Sequence, residues 1–547
     1  MSESESSCSN HGAERACRFD AVIVGAGFAG LYMLYRLRRL GLAARVYEAG
    51  GGVGGTWFWN RYPGARCDIE SMDYSYSFSP ELEQEWRWTE RYATQPEILR
   101  YLDHVADRFE LRRDIQLRTR VNAASFDEAT SRWVIQTDDG ASVSARFLIM
   151  ATGCLSVAKR PDIHGIDAFE GDAYHTSRWP HEGVDFTGKR VGVIGTGSTG
   201  VQVIPVLAEQ ASHLFVFQRT PCFSVPARNA PIDPAHEARM KASYPEHRRK
   251  ARETRAGVVL EVNPKSALEV SPEEREREYR GRWEQGGTGF LATFSDVMRS
   301  REANETAAEF VRAQIRATVR DPAVAEALSP RGYPLGTRRL CVDTRYYETY
   351  NRHNVTLVDV RASPIEEITP SGLRTRSAGY ALDSLVFATG FDAMTGALAS
   401  IELRGRGGAS LKRKWAGGPR AYLGIAIAGF PNLFTITGPG SPSVFSNAIV
   451  SIEQHVEWIT GCLTFLRERG IERIEATDEA EDRWVDHVKE VADGTLYPLA
   501  NSWYIGANIP GKPRVLMPYA GGVGAYRKTC DAVAARGYEG FRLSKAG

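Results

Sequence analysis

The 547-residue chain has no CxxC, no CxxCH and no clustered Cys/His spacing, which excludes zinc-finger, haem-attachment and thioredoxin-like readings. Its eight cysteines, Cys8, Cys17, Cys67, Cys154, Cys222, Cys341, Cys462 and Cys530, are scattered, too sparse for a secreted disulfide scaffold. Long apolar runs are missing as well. The most apolar stretch, Ala421–Phe430, stops at Pro431, far short of the ~30 Å of hydrocarbon a membrane span must cross. The start, MSESESSCSNHGAER, is polar and acidic without the apolar core of a signal peptide, and residues 1–17 are expected to form a disordered tail. Net charge is nearly absent: 68 Lys+Arg against 67 Asp+Glu leave +1, so neither nucleic acid nor a membrane surface is an expected partner. HExxH and GxSxG do not occur. GVDFTGKR (183–190) falls short of a P-loop, because Arg190 stands where Ser or Thr is needed and the segment precedes a strand. HRRKAR (247–252), flanked by Glu246 and Glu253, reads as a charged helix face. A soluble, cytoplasmic, metal-free protein is expected.

Glycine, by contrast, is plentiful at 52 residues against 26 prolines. Chance alone gives roughly half a GxGxxG match in a chain of this composition, yet three occur: Gly25–Gly30, Gly50–Gly55 and Gly195–Gly200. The first follows FDAVIV, an apolar run typical of a buried parallel strand, and precedes a helix carrying Leu31, Leu34, Leu37 and Leu40, with Gly41 as its stop. The next strand, ARVYE, ends at Glu48, placed to hydrogen-bond an adenosine ribose. In this arrangement Gly25 permits the tight turn, Gly27 lets a pyrophosphate approach the backbone and Gly30 packs helix on strand; the helix N-terminus supplies free N–H groups for phosphate. The third match repeats the plan after KRVGVI, with Thr196, Gly197, Ser198 and Thr199 inside the turn and Pro205 expected to kink the helix that follows. Its second strand, LFVFQ, ends at Arg219-Thr220. A cation there suits the 2′-phosphate of NADP. The middle match lacks a strand–helix frame and is a decoy by this criterion.

Two such units of different preference predict FAD on the first and NADPH on the second. FLIMATG (147–153) and LVFATG (385–390) read as strands ending where the chain crosses between nucleotide domains. Disulfide reductases share this plan, but no redox-active cysteine pair near a flavin is evident, which leaves a quinone, another protein or dioxygen as electron acceptor.

Phe169–Pro180, FEGDAYHTSRWP, matches FxGxxxHxxxWP through Phe169, Gly171, His175, Trp179 and Pro180. This resembles the fingerprint of type I Baeyer–Villiger monooxygenases, whose Trp-Pro or Trp-Asp ending separates them from relatives that oxidise nitrogen or sulfur. A second pattern of that family, [AG]GxWxxxx[FY]PGxxxD, is met by Gly54–Asp68. WNRYPGARCDIES, FQRTP, GTRRL, ATGFDA and GPGSPS place the resemblance in the branch of phenylacetone and steroid monooxygenases.

The resemblance implies an FAD-containing, NADPH-dependent enzyme that inserts one atom of O₂ beside a ketone carbonyl, giving an ester or lactone by way of a C4a-peroxyflavin. Arg339 matches the family's active-site arginine and Asp68 the aspartate that orients it; a fixed guanidinium suits a peroxide and the later oxyanion. Arg338, Arg219 and Thr220 are implied as NADP contacts, Trp503 as a mobile cofactor contact, and Thr56, Trp57 and Tyr74 as flavin-pocket residues. His175 is expected to act in structure or domain motion, with a catalytic base as its competitor. Ser443, Val444 and Phe445, with Cys154, mark the substrate pocket and depart from the phenylacetone pattern. Aryl-aliphatic, cyclic or steroid-like ketones, and sulfides, are the expected substrates of a monomer. An N- or S-oxidising monooxygenase and a non-catalytic nucleotide-binding protein are the alternatives.

The implied fold class is α/β: two Rossmann-like dinucleotide-binding domains with a helical insertion. The FAD domain is expected at 18–155 and 388–547, the NADP domain at 156–227 and 336–387, and the insertion at 228–335. There Ala307, Phe310, Val311, Ile315 and Val319 trace one apolar helix face.

Overall fold

A computed structural model describes residues 17–545. The expected tail lies outside the described residues except for Cys17, which opens the first strand. That strand, Cys17–Val24, carries Ala21, Val22 and Ile23 at 0% exposure, the burial on both faces that a central parallel strand requires. It pairs in parallel with Ala44–Tyr47 on one side and Ser142–Met150 on the other. Ile115–Gln116 extends one edge, and the antiparallel strands Val121–Asp127 and Arg132–Thr137 extend the other. Two short strands from far along the chain, Glu402–Arg404 and Leu433–Thr435, complete this sheet. The helix Phe28–Arg39 lays Leu31, Leu34 and Leu37 against the core. Arg36, Arg38 and Arg39 in its last turn complement the partial negative charge there.

The second sheet is wholly parallel, in the order Val355–Asp359, His213–Gln218, Arg190–Ile194, Ser384–Phe387 and Asp172–His175. Its glycine turn leads into Ser198–Gln210, one continuous helix with Pro205 inside it. The chain passes between the sheets twice, and the two crossing segments pair: Lys159 N–H donates to Gly390 O (2.9 Å), Asp392 N–H to Val157 O (2.9 Å) and Met394 N–H to Cys154 O (2.9 Å).

Between the halves of the second sheet lie the helices Pro234–Glu253, Pro272–Gln285, Arg301–Thr318 and Pro322–Leu328. Each begins at a side-chain cap, Asp233, Ser271, Ser300 or Asp321, followed by proline at the start of three of them. Ala307, Phe310, Val311, Ile315 and Val319 share a core with Val191, Val193 and Leu207 of the second sheet and its helix. The basic run on Pro234–Glu253 is only partly a solvated face. Arg249 pairs outward with Glu246 and Glu253, but Arg248 is buried on Glu83 (2.9 Å) and His247 reaches Asp73 (2.6 Å). No helix among the described residues is long and apolar enough to cross a membrane.

Candidate active site

Both glycine turns have the shape a dinucleotide needs. Gly25 and Gly195 hold φ of +106° and +109°, open to glycine and strained for other residues. A Cβ on Gly25 would stand 2.6 Å from Ala151 O, and one on Gly195 2.5 Å from Ala388 O, so each turn is wedged against a crossing segment. A Cβ on Gly30 would stand 1.8 Å from Gly25 O and one on Gly200 2.4 Å from Gly195 O. Gly27 and Gly197 cap the two helices without any side-chain partner, which leaves the first N–H groups for a phosphate. The middle glycine run is not a third such turn, and it is no bystander either: Gly54 N–H donates to Ala26 O (2.9 Å) and Gly55 packs on Gly27. Glu48 follows the second strand, with its carboxylate accepting from Ala26 N–H (2.8 Å) and Gly50 N–H (2.7 Å). Beyond that loop, the short helix Thr56–Trp59 exposes Thr56 and buries Trp57, whose Nε1–H donates to Tyr74 Oη (3.2 Å).

The second turn opens on a cavity of about 410 Å³. Thr196, Gly197, Ser198, Arg219 and Thr220 line it from the nucleotide unit; Arg338, Arg339 and Trp503 line it from later segments. Arg339 Nε donates to Asp68 Oδ2 (2.8 Å) and Nη2 to Oδ1 (2.6 Å), while Nη1 donates to Val444 O (3.0 Å). Although burial acts to lower it, the Asp68 carboxylate holds the guanidinium pKa above its ordinary value. Arg338 stacks over Tyr333 at 4.8 Å and donates to Asn501 O (2.7 Å). Its Nε, Ser502 Oγ and Asn508 Oδ1 are buried without a hydrogen-bond partner within the protein, and all three residues line the cavity. Buried polar atoms are normally satisfied. Orphans gathered around one polar cavity beside a bare helix N-terminus fit a bound dinucleotide.

The FxGxxxHxxxWP segment lies elsewhere. His175 ends a strand of the second sheet, its Nδ1 accepting from Ser177 N–H (3.2 Å). Nε2 therefore carries the proton and faces Lys159 O and Thr389 Oγ1, each 3.2 Å away. Burial holds the ring's pKa below the usual value. Lys159 and Thr389 belong to the two crossing segments, so the histidine ties them together. A Cβ on Gly171 would meet Asp383 O at 2.5 Å and the Phe169 ring at 2.6 Å. Trp179 is buried on Tyr174, and Pro180 leads the chain away.

Known proteins agree with this geometry. A family profile described as pyridine nucleotide-disulphide oxidoreductase matches residues 22–297. A Baeyer-Villiger monooxygenase of Pseudooceanicola batsensis is 47% identical over 95% of this chain and 95% of its own. Among solved structures, oxidized steroid monooxygenase bound to NADP superposes with a TM-score of 0.93 at 55% identity, covering 97% of this chain and 100% of that one. A structure of OTEMO in complex with FAD and NADP superposes at 0.93 with 42% identity, over 96% and 99% of the two chains. The chain belongs to the Baeyer–Villiger monooxygenases. It is an FAD-containing, NADPH-dependent flavoprotein enzyme of α/β fold, with FAD- and NADP-binding domains of the Rossmann type.

In this monooxygenase Cys154 packs with Ala393, Met394, Met517, Val444 and Trp503, and burial pushes its thiol up to about 11. Ser443 is buried at φ +42°, and Phe445 stacks on Tyr497 with centroids 4.2 Å apart and meets Tyr504 edge-on at 4.7 Å. Tyr497 and Tyr504 were not among the residues singled out by sequence. Neither were Asn501, Ser502 and Asn508, although the last three flank Trp503 within the same NSWYIGAN stretch. Their polar side chains in a run otherwise built of aromatic and small residues were the available signal.

Proposed function

We propose that this Baeyer–Villiger monooxygenase acts on ketones of aryl-aliphatic, cyclic or steroid-like shape, with sulfides as secondary substrates. The oxygenation centre lies between Arg339 and the Ser443–Val444–Phe445 loop. One observation carries the placement: Arg339 lines the nucleotide cavity while holding both Asp68 and the carbonyl of Val444. The likeness to a steroid monooxygenase supports a bulky ketone.

The chemistry supplied by bound FAD and NADPH is reduction of O₂ to the oxidant that attacks the ketone. The protein's part is binding and electrostatics. Gly25, Gly27, Gly30 and Glu48 hold the FAD pyrophosphate and ribose, with Thr56, Trp57 and Tyr74 beside its ring system. Gly195 to Gly200 hold the NADPH pyrophosphate, and Arg219, Thr220 and Arg338 its 2′-phosphate. Trp503, which lines the same cavity, would contact the bound nucleotide. Asp68 occupies one edge of the Arg339 guanidinium and Val444 O takes one Nη1 hydrogen, which leaves one hydrogen on each terminal nitrogen that would serve the reacting oxygen atoms. As the ketone carbon becomes tetrahedral, negative charge gathers on its oxygen. A cation already fixed there needs no reorganisation to stabilise it. No side chain has to remove a proton from the ketone, and His175 is assigned to holding the crossing segments in register. The FAD domain comprises 18–155 and 388–547, the NADP domain 156–227 and 336–387, with 228–335 as the insertion.

The test is to incubate the purified protein with NADPH, a ketone panel and isotopically labelled O₂. Ester or lactone carrying one labelled atom supports the reading. Peroxide release alone, or sulfoxide or N-oxide as the only oxygenated product, overturns it.

A further inference from the structure

The chain lacks a CxxC motif, yet the fold brings two cysteines separated by 119 positions into contact. The Sγ atoms of Cys222 and Cys341 lie 3.3 Å apart, and both are free thiols. Cys222 follows the Arg219-Thr220-Pro221 turn. Cys341 opens the strand Cys341–Asp343, which pairs in parallel with Ser224–Pro226. Both sulfurs sit under the backbone of Arg339, 3.8 and 3.6 Å from its carbonyl oxygen, and Cys341 Sγ also contacts Ser198 Oγ at 3.4 Å. Ser198 is the first residue of the helix on the second glycine turn.

The two thiols differ in access. Cys222 lines the cavity and is 8% exposed, whereas Cys341 is 2% exposed and lies behind it. A small solute in the cavity can reach Cys222; Cys341 is reached through Cys222. The hydrogen bond from Cys341 and the nearby Arg338 cation hold Cys222 below the ordinary thiol pKa. The same contact and burial hold Cys341 above it. Thiolate character and access are what make a cysteine reactive, and an adjacent second thiol captures its sulfenic acid as a disulfide.

We propose that Cys222 and Cys341 are a peroxide-oxidisable dithiol, and that their disulfide weakens NADPH binding; the second part rests on the placement of NADPH in this cavity. Cys222 sulfur attacks one oxygen of hydrogen peroxide, the O–O bond breaks, and the departing hydroxide takes up a proton as water, leaving a sulfenic acid. Cys341 sulfur then attacks Cys222 sulfur, the S–O bond breaks, and a second water leaves. Two thiols lose two electrons together and one peroxide gains them. The oxidant is what any flavin monooxygenase releases when it reduces O₂ without oxygenating a substrate. Bringing the sulfurs from contact to bond would draw Cys222, which lines the cavity with Pro221, toward Cys341, two residues beyond the cavity-lining Arg339.

The experiment treats the holoenzyme with hydrogen peroxide, with and without NADP⁺, then alkylates the remaining thiols and maps non-reduced peptides by mass spectrometry. The expected result is a cross-linked pair containing Cys222 and Cys341, two hydrogens lighter than the separate peptides and formed more slowly with NADP⁺ present. The KM for NADPH rises several-fold and recovers with dithiothreitol. In Cys341→Ser the cross-link is absent, a dimedone adduct forms at Cys222, and dithiothreitol-reversible loss of NADPH affinity disappears. Complete alkylation of both cysteines after peroxide overturns the proposal, as does a disulfide that leaves the KM for NADPH unmoved. The placement of NADPH fails separately: it is refuted if Arg219→Ala does not change the KM for NADPH, whatever the thiols do.

Discussion

Asp68 and Arg339 stand 271 positions apart in the chain and share two hydrogen bonds of 2.6 and 2.8 Å. Asp68 lies in the loop beyond the first nucleotide turn, and Arg339 follows the helical insertion. The pair therefore depends on long-range packing, and on the proposed mechanism the charge meant for the reacting oxygen is set in place by the fold as a whole.

Replacing Arg339 separates binding from oxygenation. In Arg339→Ala, NADPH still bleaches the flavin in a stopped-flow trace, while ester formation falls by at least about 100-fold, the cost of losing one transition-state donor. Arg339→Lys recovers little, because an ammonium cannot span both Asp68 oxygens. Ester yield and flavin absorbance recorded on the same sample decide the point.

Asp68→Asn keeps the shape and removes the anion. The guanidinium loses its charged anchor, and kcat for ester formation is expected to fall by about 10- to 100-fold. Both side chains keep some exposure, 28% for Arg339 and 22% for Asp68, so the stability cost is only about 1–2 kcal/mol. Thermal unfolding and steady-state rates measure the two effects independently.

Arg219 is exposed at the end of its strand and lines the cavity. Losing a charge-assisted contact to a 2′-phosphate is expected to cost about 1.5–3 kcal/mol, or roughly 10- to 100-fold in KM for NADPH. NADH has no such phosphate, and its KM should stay near the parent value. Equal losses with both nucleotides refute the assignment.

Two glycine substitutions should part company. Gly30→Ala drives a Cβ to 1.8 Å from Gly25 O and is expected to yield protein without flavin absorbance. A Cβ on Gly197 meets no protein atom within 4 Å, so Gly197→Ala should fold and bind FAD normally. Its defect is confined to NADPH affinity, because only a nucleotide occupies the space the methyl takes.

Asp343 gives a pH signature. Burial pushes its carboxyl from 3.8 up to about 6, so across that range the folded state keeps a proton that the unfolded chain releases. Its stabilising contribution is full below pH 3.8, is lost as pH rises through about 6, and changes no further above that. Asp343→Asn, which can still pair with Ser224 and Tyr346, should gain on the parent above pH 6 by up to about 3 kcal/mol. Unfolding curves of both proteins at pH 5 and pH 8 measure the difference; an unchanged gap refutes the burial effect.

The parts visible in the sequence are those fixed by short-range geometry. A strand, a glycine turn and a helix within a few dozen residues write themselves as apolar runs and spacings, and both nucleotide turns were found that way. Arg339 and Asp68 were found through motifs, since nothing local ties residues so far apart. What stayed hidden depends on packing alone. The Cys222–Cys341 contact, the seat of Gly55 on Gly27, and the inward turn of Arg248 onto Glu83 have no local pattern. Orphaned atoms such as Arg338 Nε acquire meaning only once burial is known.

The two phosphate turns are close to copies. Their leading glycines differ by 3° in φ, +106° against +109°, and each is pressed on the carbonyl of an alanine where the chain crosses between sheets. Yet Glu48 follows one second strand and Arg219 the other. On the proposed assignment, nucleotide choice is thus written mainly at the strand end, outside the shared shape of the cradle. An engineer wishing to change the electron donor can edit that address and leave the grip on the pyrophosphate untouched.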